Sequence, residues 1–380
     1  MSVLQRRLFR RIDWWLIVFA LGIPLLGLFV LYSAGYDPEA TPIRVGVFEF
    51  SFASATCLRQ AVYLCAGILV FSLGSFVPLR FLYRQSFLLY AVGIALLIVV
   101  ATSGVVVNGS RRWISFGLFN LQPSECMKLG VLMAMARVLS KRLPRDGSMF
   151  SLREIIIPAL WISVPMALIM QQPDLGTALS LGLVGVAQIL FVGVRPKVLL
   201  GIVLTLCVLA YPAWNSLHGY QQRRIMVLLN PESDPQGSGY HITQSKIAVG
   251  SGELFGKGFR KGTQTQLEFL PEHTTDFVFS VLAEEWGFIG CCFVLGLYLC
   301  LITVMLRVAN RTKEVFACLV VVGITTQIFT HLVINIGMVI GLMPVVGIPL
   351  PLISYGGSSL VSLMLGLGIV HGISMRRGAF

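Results

Sequence analysis

The sequence predicts an all-α polytopic membrane protein of about ten transmembrane helices, with both termini cytoplasmic and one long extracytoplasmic loop between helices seven and eight. Three observations carry this. Hydrophobic residues make up 56% of the 380 and charged residues only 12%, about half the charge of a soluble domain. The mean hydropathy is +0.82. The apolar residues also collect in runs of about 20, the length that crosses a bilayer as a helix. A water-soluble globule and a disordered chain are both excluded. Eight Cys without a C-x-x-C pair, four of them inside apolar runs, exclude a disulfide scaffold and a structural zinc site.

Ten runs are expected, at about 14–33, 58–77, 86–105, 124–140, 153–170, 175–194, 197–215, 280–306, 315–342 and 358–375. The first follows Arg6, Arg7, Arg10 and Arg11 and is too long for a signal-peptide core, so it reads as a signal anchor. Eighteen of the 29 Lys and Arg fall at the termini and in alternate connections. The short connections of the other side hold four: Arg44, Arg59, Arg111 and Arg112. The positive-inside rule, from which long loops are exempt, then places both termini in the cytoplasm. The net charge of +12 is thus a topology signal, and no nucleic-acid partner is expected. The chain reads as a single membrane domain over 1–380, with a cytoplasmic segment 1–13 and a large extracytoplasmic loop 216–279. Within that loop Tyr240–Val249 has helical character and Gly250–Gly262 reads as a Gly-rich turn. A loop of this length is more often functional than idle.

The chemistry-bearing segments gather on the outer side. GSGELFGKG at 250–258 imitates a phosphate loop but lacks the G-x-x-x-x-G-K-[ST] spacing, so nucleotide binding is not expected. In LPEHTTDFVFSVLAEEWG (270–287), Asp276, Ser280 and Glu284 follow at i, i+4, i+8 and are expected on one helix face. Asp276 stands where loop meets membrane, a place that suits a general base. Capping of the helix by Thr274, Thr275 or Asp276 is the alternative, and spacing alone ranks it first. In QPSECMK (122–128), Glu125 and Lys128 are i, i+3 neighbours able to pair within the apolar layer, for function or for helix packing. Arg111, Arg112 and Trp113 suit a diphosphate and a sugar or lipid, and suit interfacial anchoring better. Asp174 in QPDLGT is a functional carboxylate or a helix N-cap. Gln327, His331 and Asn335 form a polar stripe expected to hydrogen-bond between helices. The segment 343–359 holds Pro344, Pro349, Pro351, Gly356 and Gly357 and cannot be a continuous helix, so a wedge lining an outer cavity is expected.

Taken together, RRWISFG–QPSE, QPDLGT, NPESDPQGSGYHITQSKIAVGSGELFGKG, GTQTQLEFLPE–TDF–AEEWG and NIGMVIGLMPVVGIPLPLISYGGSS resemble the SEDS family (shape, elongation, division, sporulation) from about residue 14 to 377. NPESDP and GTQ-x-QLEFLPE favour its elongation branch over its division branch. The resemblance implies ten transmembrane helices in the bacterial cytoplasmic (inner) membrane. It also implies a peptidoglycan glycosyltransferase that polymerises lipid II on the outer face during elongation and rod-shape maintenance. The family's functional Asp falls on Asp276, and its other motif residues on Trp113, Glu125, Lys128 and Asp174. Implied partners are lipid II, a class B penicillin-binding protein and other membrane proteins of the elongation complex. One departure is Thr274-Thr275-Asp276 where the family reads H-T-D, which displaces His273 by one. The first outer loop, about 34–57, is also longer than usual.

The expected reaction joins the 4-hydroxyl of a terminal GlcNAc to the anomeric carbon of a MurNAc held on undecaprenyl diphosphate. It inverts an α linkage into a β-1,4 bond in one displacement. Asp276 would take the hydroxyl proton. Arg112, Arg223, Lys246 or a divalent cation (Mg or Mn) would meet the departing diphosphate. The rival readings are a lipid II flippase, which Glu125, Lys128 and His331 would fit, and a scaffold that recruits a transpeptidase. No inverted repeat supports the flippase, and a scaffold leaves the loop carboxylates unexplained.

Overall fold

The computed structural model describes residues 12–36, 43–45, 48–50, 55–107, 110–115, 117, 120–143, 149–216, 219–234, 237–267, 269–270 and 272–376. Helices occupy all ten predicted runs. They are α1 (Trp14–Ala34), α2 (Ala55–Phe76), α3 (Leu79–Ser103), α4 (Pro123–Arg142), α5 (Leu152–Gln171), α6 (Leu175–Val192) and α7 (Pro196–Ser216). After the long loop come α11 (Val278–Arg311), α12 (Val315–Val339) and α13 (Gly357–Met375). Eight of these are long and apolar enough to cross a membrane. The exceptions are α4, which carries Glu125, Lys128, Arg137, Lys141 and Arg142, and α7, whose apolar stretch is only Pro196–Leu209. The protein is therefore a mostly helical, multi-pass membrane protein.

The structure corrects the all-α expectation in detail. Two small antiparallel ladders stand between helices: β1 (Ile43–Val45) with β2 (Phe48–Phe50), and β3 (Val105–Val107) with β4 (Ser110–Ser115) and β5 (Asn120–Leu121). The β-branched run at 105–107 and the alternation of Arg111, Trp113 and Ser115 suit a short ladder better than a helix end. The helix α3 starts at Leu79 rather than about 86, so Arg80 and Arg84 lie inside it. The long loop is not irregular: it holds α8 (Gly219–Leu229), α9 (Ser238–Ser251) and the one-turn α10 (Thr263–Gln266). The N-terminal arginines 6, 7, 10 and 11 lie outside the described residues, as does half of the first outer loop.

Contacts group the chain into two compact units, each built from separate stretches. One comprises Met1–Ser75, Val227–Val304 and His331–His371, and the other Phe76–Met226, Met305–Thr330 and Gly372–Phe380. In the second unit α3 lies along α4. A Cβ at Gly93 would collide with the Met127 sulfur, and one at Gly130 would stand 3.3 Å from the Leu89 carbonyl. Small residues here let the backbones approach, which drives helix association where lipid supplies no hydrophobic force. Gln188 on α6 donates 3.0 Å to the Leu132 carbonyl and 2.9 Å to that of Leu319, joining α4 and α12.

The first unit is organised by a break in α11. Gly287 has φ 66 and ψ −164, so the helix stops and restarts. A break inside a membrane frees backbone groups that something must satisfy. Here the segment 253–258 does so. Lys257 N–H donates 2.9 Å to the Glu284 carbonyl and Gly258 N–H 3.0 Å to that of Glu285, while Phe288 N–H donates 2.9 Å to Glu253 and Ile289 N–H 3.2 Å to Leu254. This explains GSGELFGKG. A Cβ at Gly252 would collide with the Ala283 carbonyl, and one at Gly256 (φ +77) with that of Glu285. The glycines admit backbone, not phosphate. Gly256→Ala is expected to expel the segment from the break and sharply lower the thermal stability of purified protein; an unchanged midpoint would show that the segment is not a structural plug.

Candidate functional site

In the first unit, Asp276 sits in the turn that leads into α11, two residues before its first helical residue. The predicted shared face with Ser280 and Glu284 is therefore not made. Ser280 hydroxyl instead meets Ser245 of α9 at 2.8 Å, and Ser245 also donates 2.7 Å to the Val339 carbonyl. Glu284 is fully buried and accepts from Lys257 Nζ (2.7 Å), Gln264 N–H (3.0 Å), Thr263 Oγ1 (3.2 Å) and Thr265 Oγ1 (3.3 Å). Glu285 accepts from Ser33 Oγ at 2.5 Å and Arg260 N–H at 3.1 Å. The two carboxylates hold the inserted segment down, so their task is architectural.

The Pro-rich wedge has the non-helical form expected: residues 340–356 are turn and extended backbone, with Ile348, Leu350, Leu352 and Ile353 buried. Its backbone is satisfied from several sides. Gln60 donates 3.1 Å to the Ser354 carbonyl and accepts from Gly356 N–H at 3.2 Å, Tyr298 hydroxyl donates to the Pro351 carbonyl, and Tyr355 N–H donates 2.9 Å to the Thr274 carbonyl. Asp276 faces this wedge: a Cβ at Gly347 (φ +75) would stand 3.5 Å from its Oδ2. Asn335 on α12, fully buried, fixes the pair. Its Nδ2 donates 2.8 Å to the Asp276 carbonyl and 2.8 Å to that of Ile348. The stripe residue thus bonds to non-helical backbone rather than to a neighbouring helix.

His273 does not partner Asp276. Its ring nitrogens lie 2.9 Å from the Leu270 carbonyl and 3.0 Å from that of Ala34, which ties the loop to α1. Lys246 is exposed on α9, and its stem packs so closely on Gly341 (φ +72) that a Cβ there would collide with it. His241, on the same helix, lies 6.0 Å from the Phe277 ring; burial holds its pKa below the ordinary imidazole value, so it is neutral at pH 7.

The remaining predicted residues lie in the second unit. Lys128 Nζ donates 2.7 Å to Glu125 Oε1, and both residues are about as buried as core leucines, at 2% and 3% exposure. Asp174 caps α6, accepting 3.2 Å from Thr177 N–H, and meets Gln122 Nε2 at 3.4 Å. Arg112 reaches the same turn. It donates 3.2 Å to the Gln172 carbonyl and to that of Pro173, and stands 3.9 Å from Asp174. Trp113 is half-buried on β4, paired with Val105 of β3. Arg223 is exposed on α8. Asp276 and Lys246 therefore belong to one unit, and Arg112, Trp113, Glu125, Lys128 and Asp174 to the other. Among the described residues no three His, Cys, Asp or Glu side chains gather into a metal-ligand set.

Sequence reasoning missed the tasks of Glu284, Glu285 and Asn335. The available signal was the Gly spacing at 250–258 beside an acidic pair followed by Gly287: a break and its plug are written in matching glycines.

Membrane-length helices, a broken helix plugged by a returning segment and a buried Pro-rich wedge facing a carboxylate define a multi-pass membrane protein built around non-helical backbone. Residues 13–378 match the FtsW/RodA/SpoVE cell cycle protein family, and the chain belongs to that family. It is 42% identical to the peptidoglycan glycosyltransferase MrdB of Escherichia coli K12 over 93% of this chain and 92% of that one. It is 30% identical to the peptidoglycan glycosyltransferase RodA of Treponema pallidum over 96% of this chain. Among solved structures it is similar to a chain of a peptidoglycan synthase complex that coordinates polymerization and crosslinking (TM-score 0.80, 31% identity, 97% of this chain and 99% of that one). It is also similar to the rod shape determining protein RodA of Thermus thermophilus (TM-score 0.70, 30% identity, 97% and 98% covered).

Proposed function

We propose that this protein is a peptidoglycan glycosyltransferase of cell elongation, polymerising lipid II into glycan strands on the outer face of the cytoplasmic membrane. The observation that carries the reading is the placement of Asp276, a carboxylate facing a buried non-helical wedge in a chain 42% identical to a curated enzyme of that activity. Ten spans with cytoplasmic termini fit the ten helices and the sorting of basic residues. A class B penicillin-binding protein is the natural partner, because strands must be cross-linked.

Asp276 takes the proton of the acceptor 4-hydroxyl as its oxygen bonds to the anomeric carbon of the donor MurNAc. The bond from that carbon to the diphosphate oxygen breaks on the opposite side, which inverts the centre. The leaving diphosphate carries developing negative charge, and Lys246, exposed in the unit of Asp276, is the cation assigned to meet it. In the other unit Glu125, Lys128, Asp174, Arg112 and Trp113 serve substrate binding. Arg112 also shapes the turn after α5, since two of its N–H groups donate to the Gln172 and Pro173 carbonyls.

Asn335 positions the base. Asn335→Leu removes both bonds to backbone and is expected to lower kcat by about 10²-fold, the size of a small misplacement of a reacting group, with KM little changed. A proportionate rise in KM instead would make it a binding residue.

The reaction has a stoichiometric signature that tests the function. Each new glycosidic bond releases one undecaprenyl diphosphate. Purified protein given labelled lipid II is expected to yield strands and lipid diphosphate in step. Movement of intact lipid II across vesicles with no diphosphate released would make the protein a flippase.

A further inference from the structure

The second unit holds a cavity of about 560 Å³ lined by Pro78, Leu79, Arg80, Lys313, Glu314 and Arg376. Three elements meet there: the start of α3, the start of α12 and the end of α13. Three lining residues are cations and one is an acid. The start of α3 adds to the positive field, because Pro78 caps it without any side-chain hydrogen bond and a helix N-terminus is itself an anion-attracting end. Arg376 is held in place by donation to the Val77 carbonyl, and burial lowers its pKa without taking its charge at neutral pH. The cavity also has apolar surroundings. Pro78 and Leu79 lie in its wall, and Phe76, Phe81 and Val315 stand close by in sequence with 76%, 54% and 39% of their surface exposed. Cations bordered by exposed apolar side chains at the ends of membrane helices match one kind of ligand: a phosphate joined to acyl chains. A soluble phosphate would use the cations and leave the phenylalanines unexplained.

We propose that this cavity is a binding site for the headgroup of an anionic phospholipid. The phosphate lies among Arg80, Lys313 and Arg376, and the glycerol and first acyl carbons lie over Pro78 and Leu79. Glu314 lowers the affinity for the anion, which keeps the lipid exchangeable. Under the proposed topology the site is on the cytoplasmic rim, where anionic headgroups attract basic residues. It is independent of the polymerisation chemistry.

The test is native mass spectrometry of the full-length protein in detergent, titrated with phosphatidylglycerol or phosphatidylcholine. Wild type is expected to retain phosphatidylglycerol preferentially. The double variant Arg80→Gln/Lys313→Gln, altered at two exposed positions, is expected to bind it roughly 30-fold more weakly, the effect of two cations lost from an anionic headgroup. Glu314→Gln is expected to bind it more tightly, a gain that general damage to the fold would not produce. Equal retention of the two lipids, or variants indistinguishable from wild type, would overturn the site. Displacement of phosphatidylglycerol by excess inorganic phosphate would reassign the cavity to a soluble anion and overturn the lipid.

Discussion

Lys128→Ala is expected to unfold or strongly destabilise the protein, because it removes the ammonium that donates to Glu125 Oε1 in a site only 3% exposed. Breaking a buried pair by removing one partner costs about 3–5 kcal/mol. The informative comparison is the double variant Glu125→Gln/Lys128→Met. Replacing both charges with groups of similar volume is nearly neutral or stabilising in buried settings, so the thermal midpoint should return to within a few degrees of wild type. Polymerisation should not return if the pair serves substrate binding. Recovery of both properties would make Glu125 and Lys128 a packing device only.

Asp276→Asn is expected to lower polymerisation by about 10³-fold, within the range a general base contributes, while leaving thermal stability near that of wild type. The amide has almost the shape of the carboxylate, and Asn335 holds this stretch through the Asp276 carbonyl, a bond the substitution leaves in place. The loss should fall on kcat. Asp276→Glu keeps the base but moves its oxygens by a methylene, and is expected to retain only a small fraction of activity.

Much of the architecture was legible in the sequence. Runs of about 20 apolar residues leave a helix as the only economical way through a bilayer, and every run became one. The wedge was equally legible, because Pro344, Pro349 and Pro351 cannot be absorbed by a helix. What periodicity could not show was where helix begins. Asp276, Ser280 and Glu284 fit a helical face by spacing, yet the helix starts at Val278 and the three go to different partners. Nor does spacing report a break plugged from a distant segment: Gly287 and Gly256 are 31 residues apart, and only their pairing in space gives either a reason. Asn335 looked like one member of a polar stripe, and its two carbonyl partners come from segments with no regular structure to predict.

With Asp276 as the proposed base, each glycosidic bond this chain forms must free one undecaprenyl diphosphate. The direct measurement is release of undecaprenyl diphosphate from labelled lipid II in proteoliposomes, followed for wild type and Asp276→Asn at equal amounts of folded protein, each alone and with its transpeptidase-inactivated partner. Strands and matching release are expected from wild type, and neither from the variant in either setting. Strand formation by Asp276→Asn at near wild-type rate would contradict the assignment of Asp276 as the base.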